Sequence, residues 1–340
     1  MAGKPKILIA ESANFSPRAL SVLVGIGQVL MADLDRHELK FALKDADILW
    51  VRLRHQLDED LMSCAPRLKV IVSPTTGLNH IDLEAAARRN ITVLCLRGET
   101  EFLRDIRATA EHTLALMLAL MRRLPAATRH VQSGGWNRDL FRGNELCGKT
   151  VGVVGYGRLG KLVSRYVQAF EARVIVTDPY VNEPALEPGL KLTPLLRLLR
   201  EADIVTLHVN LNAETKGFFG QEQFGAMKRG AWFVNTARGE LIDEAALLKA
   251  LKSRQLAGAA LDVLNNEPCP NLREHPLVVY SRRHPNLLIT PHLGGCTSES
   301  MQKTELFMAE KLGELLASKP IFSEVAAREA ISSGVAAARG

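Results

Sequence analysis

The sequence contains no run of 18 apolar residues, so nothing in it suits a helix that crosses a bilayer. Its best candidate, ATAEHTLALMLALMRR, is interrupted by Glu111 and His112 and closed by Arg122 and Arg123. No secretory leader is expected: MAGKPKILIAES passes from two lysines into a strand-like run, without an apolar region or a small-residue cleavage site. Cysteine is sparse and odd in number. Cys64, Cys95, Cys147, Cys269 and Cys296 form neither a C-x-x-C motif nor a Cys/His cluster, which excludes a disulfide framework and a structural zinc site. The expected location is the cytoplasm, with no membrane partner and no metal. Nor is there a large excess of charge, since the net value is +6 over 340 residues with 24% charged and 47% hydrophobic, an ordinary globular balance. The one local excess lies between Arg122 and Lys149, where six Lys/Arg face only Asp139 and Glu145. No recognition motif accompanies it, so a solvated or dimer face is expected rather than a nucleic-acid site.

What is present is a regular alternation. A chain of 340 residues exceeds one comfortable core and implies two domains. β-type runs alternate with helical patterns almost throughout, as in parallel sheets covered by helices. The first train holds KILIA (6–10), DILWV (47–51), KVIVS (69–73) and ITVLC (91–95); the second holds TVGVVG (150–155), RVIVTD (173–178), DIVTLH (203–208), AWFVN (231–235), AGAALDV (257–263) and NLLITP (286–291). Ser16-Pro17, Asp82, Thr193-Pro194 and Asp243 mark helix starts, and Asn90 and Gly230 mark ends. Between the trains lies an apolar helix over about residues 108–124, then a turn-rich connection, SGGWNRDLFRGNELCGK. A last amphipathic helix follows Thr297 to about Ser318, before an Ala-rich tail expected to be weakly ordered. The trains share a pattern but no repeat. Chemistry is expected in a cleft between the two domains.

VGVVGYGRLG sets Gly155, Gly157 and Gly160 in G-x-G-x-x-G register after a strand and at the opening of a helix. The first glycine makes the turn, the second lets backbone approach a pyrophosphate, and the third packs helix on strand. The helix N-terminus then offers N–H groups and partial positive charge to phosphate. The next strand ends at Asp178, 178 − 160 = 18 positions on, where a carboxylate accepts hydrogen bonds from the adenosine ribose and repels a 2′-phosphate. The pattern favours NAD over NADP.

Three further residues stand where strands end, and in open α/β sheets ligands bind outside carboxyl ends. Arg238 follows AWFVN, Glu267 lies in the proline-bounded loop of LDVLNNEPCP, and His292 sits in TPHLGG before two glycines. A strand-end arginine alone is as often structural as functional, and a lone histidine or loop glutamate is more often structural. Together they meet the needs of hydride transfer beside a carboxylate once each. A guanidinium holds carboxylate and carbonyl in a fork that lysine cannot copy. An imidazole moves the hydroxyl proton, and a neighbouring carboxylate orients it and favours its charged form.

The motifs VGVVGYGRLG, VTDPY, FVNTARGELIDEAAL, GAALDV…EP and ITPHLGG resemble the D-isomer-specific 2-hydroxyacid dehydrogenases, phosphoglycerate dehydrogenase-like members included, and ATAEHTLALMLAL resembles that family's crossover helix. The resemblance runs from about Ser73 onward; the first strands agree in pattern only. It implies an α/β protein: a Rossmann-type doubly wound NAD domain (101–296) inserted into a smaller flavodoxin-like, substrate-binding domain (1–100 plus 297–340). It implies that Arg238 binds the substrate carboxylate and carbonyl, His292 is the acid/base and Glu267 supports it. NAD contacts are implied at Arg158, Leu159, Asp178, His208, Val209, Thr236, Ala237 and Asp262, beside the three glycines. SPTTGLNHID resembles the family's substrate loop, making the backbone N–H groups of Thr76 and Gly77 candidates for the carboxylate. The implied partners are a small 2-oxo or 2-hydroxy acid and a second copy of the chain in a homodimer.

Departures from the family pattern carry expectations too. Thr75 replaces a glycine and either adds a hydroxyl to the pocket or tightens the turn. Asn210 stands where proline is usual, and Cys296 where alanine is common. An extra segment, Phe102 to Arg107, brings Arg104 and Arg107, which either read a second acidic group on the substrate or pair internally. A nucleotide-sensing, corepressor-like scaffold is the alternative on the same fold. Formate oxidation is disfavoured because that branch carries glutamine at the place of Glu267.

Overall fold

The structure is a computed structural model and describes residues 4–267, 269 and 271–318. It divides into two compact units, one formed by the described residues of Met1–Leu103 and Ser298–Gly340, the other by Arg104–Thr297. The first unit opens with β1 (Lys6–Ile9), α1 (Pro17–Ile26), β2 (Gln28–Met31), α2 (Arg36–Ala42), β3 (Ile48–Trp50), α3 (Glu59–Ser63), β4 (Val70–Ser73), α4 (Leu83–Arg88) and β5 (Thr92–Cys95). Its strands form one parallel sheet in the order β2-β1-β3-β4-β5, the flavodoxin-like order. β3 and β4 are buried along their whole length, which is why they read as continuous apolar runs. Local chemistry sets the helix ends. The Ser16 hydroxyl accepts the Ala19 N–H with Pro17 at the first position, Asp82 caps α4, and Asn90 takes the left-handed conformation after it (φ 56°).

The second unit continues with α5 (Ala108–Met121), α6 (Leu124–Gln132), β6 (Thr150–Val154), α7 (Arg158–Ala169), β7 (Arg173–Thr177), β8 (Lys191–Leu192), α8 (Leu195–Glu201), β9 (Ile204–Leu207), α9 (Gln221–Ala226), β10 (Ala231–Asn235), α10 (Glu244–Lys252), β11 (Leu256–Leu261), α11 (Pro276–Ser281) and β12 (Leu287–Ile289). Seven parallel strands run in the order β12-β11-β10-β9-β6-β7-β8. Two apolar layers cover the sheet: one gathers Leu198, Phe219, Phe224, Leu247 and Leu277, the other Leu116, Met117, Leu120, Val163 and Val167. This is the doubly wound arrangement that the alternating runs imply. α6 was not among the expected elements: it begins after Arg123 (φ 55°) and buries none of its residues. α8 likewise starts after Pro194, while the Thr193 hydroxyl bonds to Lys191 O instead of capping.

The chain returns to the first unit through α12 (Ser298–Ser318), which packs on α1. Glu305 anchors it. This carboxylate, 1% exposed, accepts the Ser16 N–H at 2.7 Å and the Arg52 Nε–H at 3.0 Å, joining α12 to the start of α1 and to the loop after β3. Removing one partner of such a buried pair strands the other charge and costs about 3–5 kcal/mol. The extra segment before α5 also meets α12: Phe102 stacks on Phe307 with ring centroids 4.0 Å apart, and Glu99 pairs with Lys311. Arg104 and Arg107 are exposed and make no ion pair among the described residues, so internal pairing does not account for them. Among the described residues no helix is long and apolar enough to cross a membrane, and the Ala-rich tail lies outside the described residues.

Candidate active site

Topology says where a ligand fits. In the second unit the chain starts at β6, moves outward through β7 to β8, then returns to β9 on the other side of β6. That reversal opens a crevice outside the carboxyl ends of β6 and β9. The glycine turn lies there. Gly155 is left-handed (φ 92°), its N–H donates to Thr177 O at 2.8 Å, and a Cβ on it would stand 2.6 Å from His208 O. A Cβ on Gly160 would stand 2.0 Å from Gly155 O, which is how α7 lies so close to β6. Gly157 differs, because a Cβ there would meet no protein atom within 4 Å. Open space lies in front of it. At that point α7 begins without a side-chain cap, leaving first-turn N–H groups for an anion.

The surroundings suit a dinucleotide. Asp178 accepts the N–H groups of Tyr156 (2.8 Å) and Tyr180 (2.9 Å), fixing its carboxylate beside the turn with lone pairs to spare for ribose hydroxyls. Leu159 faces the apolar layer under α7. Arg158 donates from Nη1 to Ile106 O at 2.7 Å, and burial pushes its guanidinium below its ordinary value. After β9, Val209 flanks Gly155, and His208 Nε2 lies 3.0 Å from Thr206 Oγ1. Burial pushes the His208 imidazole down to about 4, so the ring is neutral at physiological pH.

Three of the expected residues leave the ends of three adjacent strands, β10, β11 and β12. With strands about 4.8 Å apart, the chain positions of Arg238 and His292 are roughly 10 Å apart across the sheet. Arg238 is aimed by Asn235. Its buried amide accepts the Ala237 N–H (3.0 Å) and donates to Arg238 O (2.8 Å), folding the strand end into a turn. The Thr236 hydroxyl meets that of Thr113 on α5 at 2.7 Å, and the Arg238 side chain donates from Nη1 to Ala237 O at 2.5 Å.

His292 adopts a left-handed backbone (φ 54°), a conformation that costs a non-glycine residue about 1 kcal/mol and persists only when its surroundings impose it. Asp262, after β11, imposes it. Its carbonyl accepts the His292 N–H (2.9 Å); its carboxylate accepts Thr290 Oγ1–H (2.6 Å), Leu293 N–H (2.7 Å) and Gly294 N–H (2.7 Å), and His112 Nε2 lies 3.0 Å away. Burial acts to raise the Asp262 carboxyl, but these hydrogen bonds outweigh it and hold it below the ordinary carboxylate range. The His292 ring meets Glu267: Nδ1 to Oε2 is 2.6 Å, and the second Glu267 oxygen accepts the Leu264 N–H. Nε2 makes no hydrogen bond among the described residues.

In the first unit, Thr76 and Gly77 occupy the loop after β4. The Thr75 hydroxyl donates to Gly77 O at 2.8 Å and lies 2.9 Å from Ser73 Oγ, so this departure tightens the turn. Sequence reading missed the supports: Asn235 behind Arg238, Thr113 under Thr236, and His112 with Thr290 around Asp262. The only signal was polarity out of place, as His112 and Thr113 interrupt an otherwise apolar stretch of α5. Cys296 is exposed, and its N–H closes the loop onto Leu293 O.

Known proteins share the sequence and the fold. Residues 114–294 match the sequence profile of the D-isomer specific 2-hydroxyacid dehydrogenase NAD binding domain. The chain is 37% identical over 315 residues to D-3-phosphoglycerate dehydrogenase of Mycobacterium tuberculosis, spanning 92% of this chain and 57% of that one, so it covers a little over half the length of such relatives. Among solved structures it resembles TT0316 of Thermus thermophilus (34% identity, TM-score 0.78, 92% of this chain and 97% of that one). It also resembles D-lactate dehydrogenase of Aquifex aeolicus, solved with NAD and lactic acid (28% identity, TM-score 0.75, 92% and 96%).

The different constraints on the glycines are separable. Gly157→Ala is expected to stay within about 1 kcal/mol of the parent in urea unfolding while weakening NADH binding about tenfold, or about 1.4 kcal/mol, in a fluorescence titration. Gly160→Ala, by contrast, should destabilise the fold by about 1–3 kcal/mol. Unaltered NADH affinity in Gly157→Ala would contradict the placement of the cofactor.

Proposed function

Because the chain belongs to the D-isomer-specific 2-hydroxyacid dehydrogenase family, we propose that it interconverts a D-2-hydroxy acid and its 2-oxo acid with NAD as redox partner. The observation that carries this reading is the 2.6 Å contact between Glu267 Oε2 and His292 Nδ1, made beside the strand that presents Arg238. When bound, the nicotinamide supplies or takes up the hydride at C2. The Arg238 guanidinium holds the substrate carboxylate and carbonyl oxygen in a fork geometry. In reduction, protonated His292 gives the Nε2 proton to the oxygen where negative charge develops; in oxidation the neutral ring takes it back. Glu267 accepts from Nδ1–H, which fixes the ring's orientation and tautomer. The N–H groups of Thr76 and Gly77 are proposed as further donors to the substrate carboxylate, on the resemblance of their loop. For Asp262 the proposed part is to hold the His292 loop against the cofactor. The five cysteines are all free, in keeping with a reducing compartment, and the proposed location is the cytoplasm.

Two features extend this reading. The relatives named D-3-phosphoglycerate dehydrogenase act, by that name, on a substrate with a second acidic group. The exposed Arg104 and Arg107, free of ion pairs among the described residues, are the proposed readers of such a group here. The second feature is α6 and the connection after it, where Leu124, Val131 and Leu140 are about half exposed and Trp136 is 90% exposed. An unpartnered apolar face of this kind among basic residues is the proposed homodimer surface.

The central test is a panel of 2-oxo mono- and diacids with NADH or NADPH, followed at the nicotinamide absorbance band. Turnover with NADH is expected, and NADH binding without turnover on any substrate would favour the sensing scaffold. His292→Gln should keep NADH binding and lose at least about a hundredfold in kcat; full activity in that variant would remove His292 as the acid/base. Arg104→Ala with Arg107→Ala should lose diacids selectively, and equal retention of both substrate classes would end that assignment. In sedimentation, Trp136→Glu should shift a dimer to monomer; a parent chain that is already monomeric at micromolar concentration would remove the dimer.

A further inference from the structure

Glu244 lies outside every role given above. It is the first residue of α10, directly after the N-cap Asp243, and its carboxylate is divided between two elements. Oε1 accepts the Asn265 N–H at 2.8 Å, while Oε2 lies 3.1 Å from Nε2 of His275, the residue that precedes α11. Both side chains are largely buried, at 16% and 14% exposure. Asn265 is two residues before Glu267. The preceding N–H, that of Leu264, donates to Glu267 Oε1, and Glu267 Oε2 meets His292. Gly239, the residue after Arg238, also packs closely on the same peptide: a Cβ there would stand 2.0 Å from the Leu264 carbonyl carbon and 2.4 Å from Asn265 N. Residues 264–265 thus lie between the segment that carries Arg238 and the carboxylate that holds His292.

We infer that Glu244, held by His275, is a positioning residue that pins the Leu264–Asn265 peptide and thereby sets the Glu267–His292 contact. An acidic residue in the first turn of a helix also has a plain electrostatic use, as a partner of the helix dipole. That use needs neither the loop N–H nor the histidine. Here the two oxygens go to those two groups, and the length of chain from Asn265 to Glu267 is too short for Glu267 to ignore a shift at Asn265. Small displacements at a reacting group are costly: about 1 Å of misplacement removes about a hundredfold in rate. The inference rests on the reading of His292 as the acid/base, and its test includes a readout independent of that reading.

The experiment compares Glu244→Ala, Glu244→Gln and His275→Leu with the parent in the full chain. Steady-state kinetics with NADH and the best 2-oxo acid are measured in H2O and D2O, and amide hydrogen exchange is followed over residues 261–267. Glu244→Ala should lose about 10- to 100-fold in kcat, keep KM for NADH within about twofold, show a larger solvent isotope effect because proton transfer has slowed, and exchange the Asn265 amide faster. Glu244→Gln retains an oxygen acceptor for that amide and should recover most of the lost kcat, and His275→Leu should fall between. Parental kcat and exchange in Glu244→Ala, or glutamine no better than alanine, would overturn the inference. So would losses that fall equally on kcat and NADH affinity with an unchanged isotope effect, since those report general destabilisation. If the parent turns over no 2-oxo acid, the dehydrogenase reading fails on its own, and exchange at Asn265 still decides whether Glu244 holds the loop.

Discussion

A buried carboxylate that shapes the loop on the neighbouring strand is the constraint on which the carboxyl end of the second unit depends. Asp262 is 1% exposed and would be costly there without partners. It accepts from three groups after β12 and lies within hydrogen-bond reach of His112, and the resulting loop holds His292 at φ 54° with Nδ1 on Glu267. Replacing that carboxylate removes more than one contact, because the Leu293 and Gly294 N–H groups and the Thr290 hydroxyl, which hold the turn around the left-handed histidine, lose their acceptor together. The order of strands completes the arrangement. Since β10, β11 and β12 are neighbours, Arg238, Glu267 and His292 emerge side by side although the chain separates them widely.

The cofactor side is built on the opposite logic, in which what matters is the room left open. Gly155 and Gly160 are glycines because protein atoms crowd them, and Gly157 is a glycine although none do. An uncapped helix start behind that opening and an anchored Asp178 beside it are what the proposed phosphate and ribose contacts call for. The proposed chemistry needs both sides. In that proposal the glycine turn receives the dinucleotide, and the ends of β10, β11 and β12 supply a guanidinium and a proton donor with its partner.

Much of this was legible in the sequence, for physical reasons that also explain the rest. Strands such as VIVS and IVTL are buried on both faces and therefore appear as unbroken apolar runs. β2 escaped notice because an edge strand alternates in exposure, and β8 because two residues carry no pattern. α6 buries nothing within the chain, so its apolar residues have no core to report on. In the candidate site, Arg238, Glu267 and His292 stood out because turn residues flank them at strand ends. Their supports did not: the bond from His112 to Asp262 spans 150 positions, and no local spacing reveals it. Glu244 reads as an ordinary acid at a helix start, and only the fold brings its second oxygen to His275.

The account centres on Arg238 and His292 acting on the same oxygen of one substrate. A crystal structure of the chain with NAD and oxamate, an unreactive mimic of a 2-oxo acid, tests this most directly. The expected result is the oxamate carbonyl oxygen within about 3.2 Å of both His292 Nε2 and an Arg238 guanidinium nitrogen, with Glu267 still on Nδ1. Oxamate bound through other residues, or His292 turned so that Nε2 faces away from it, would contradict the account.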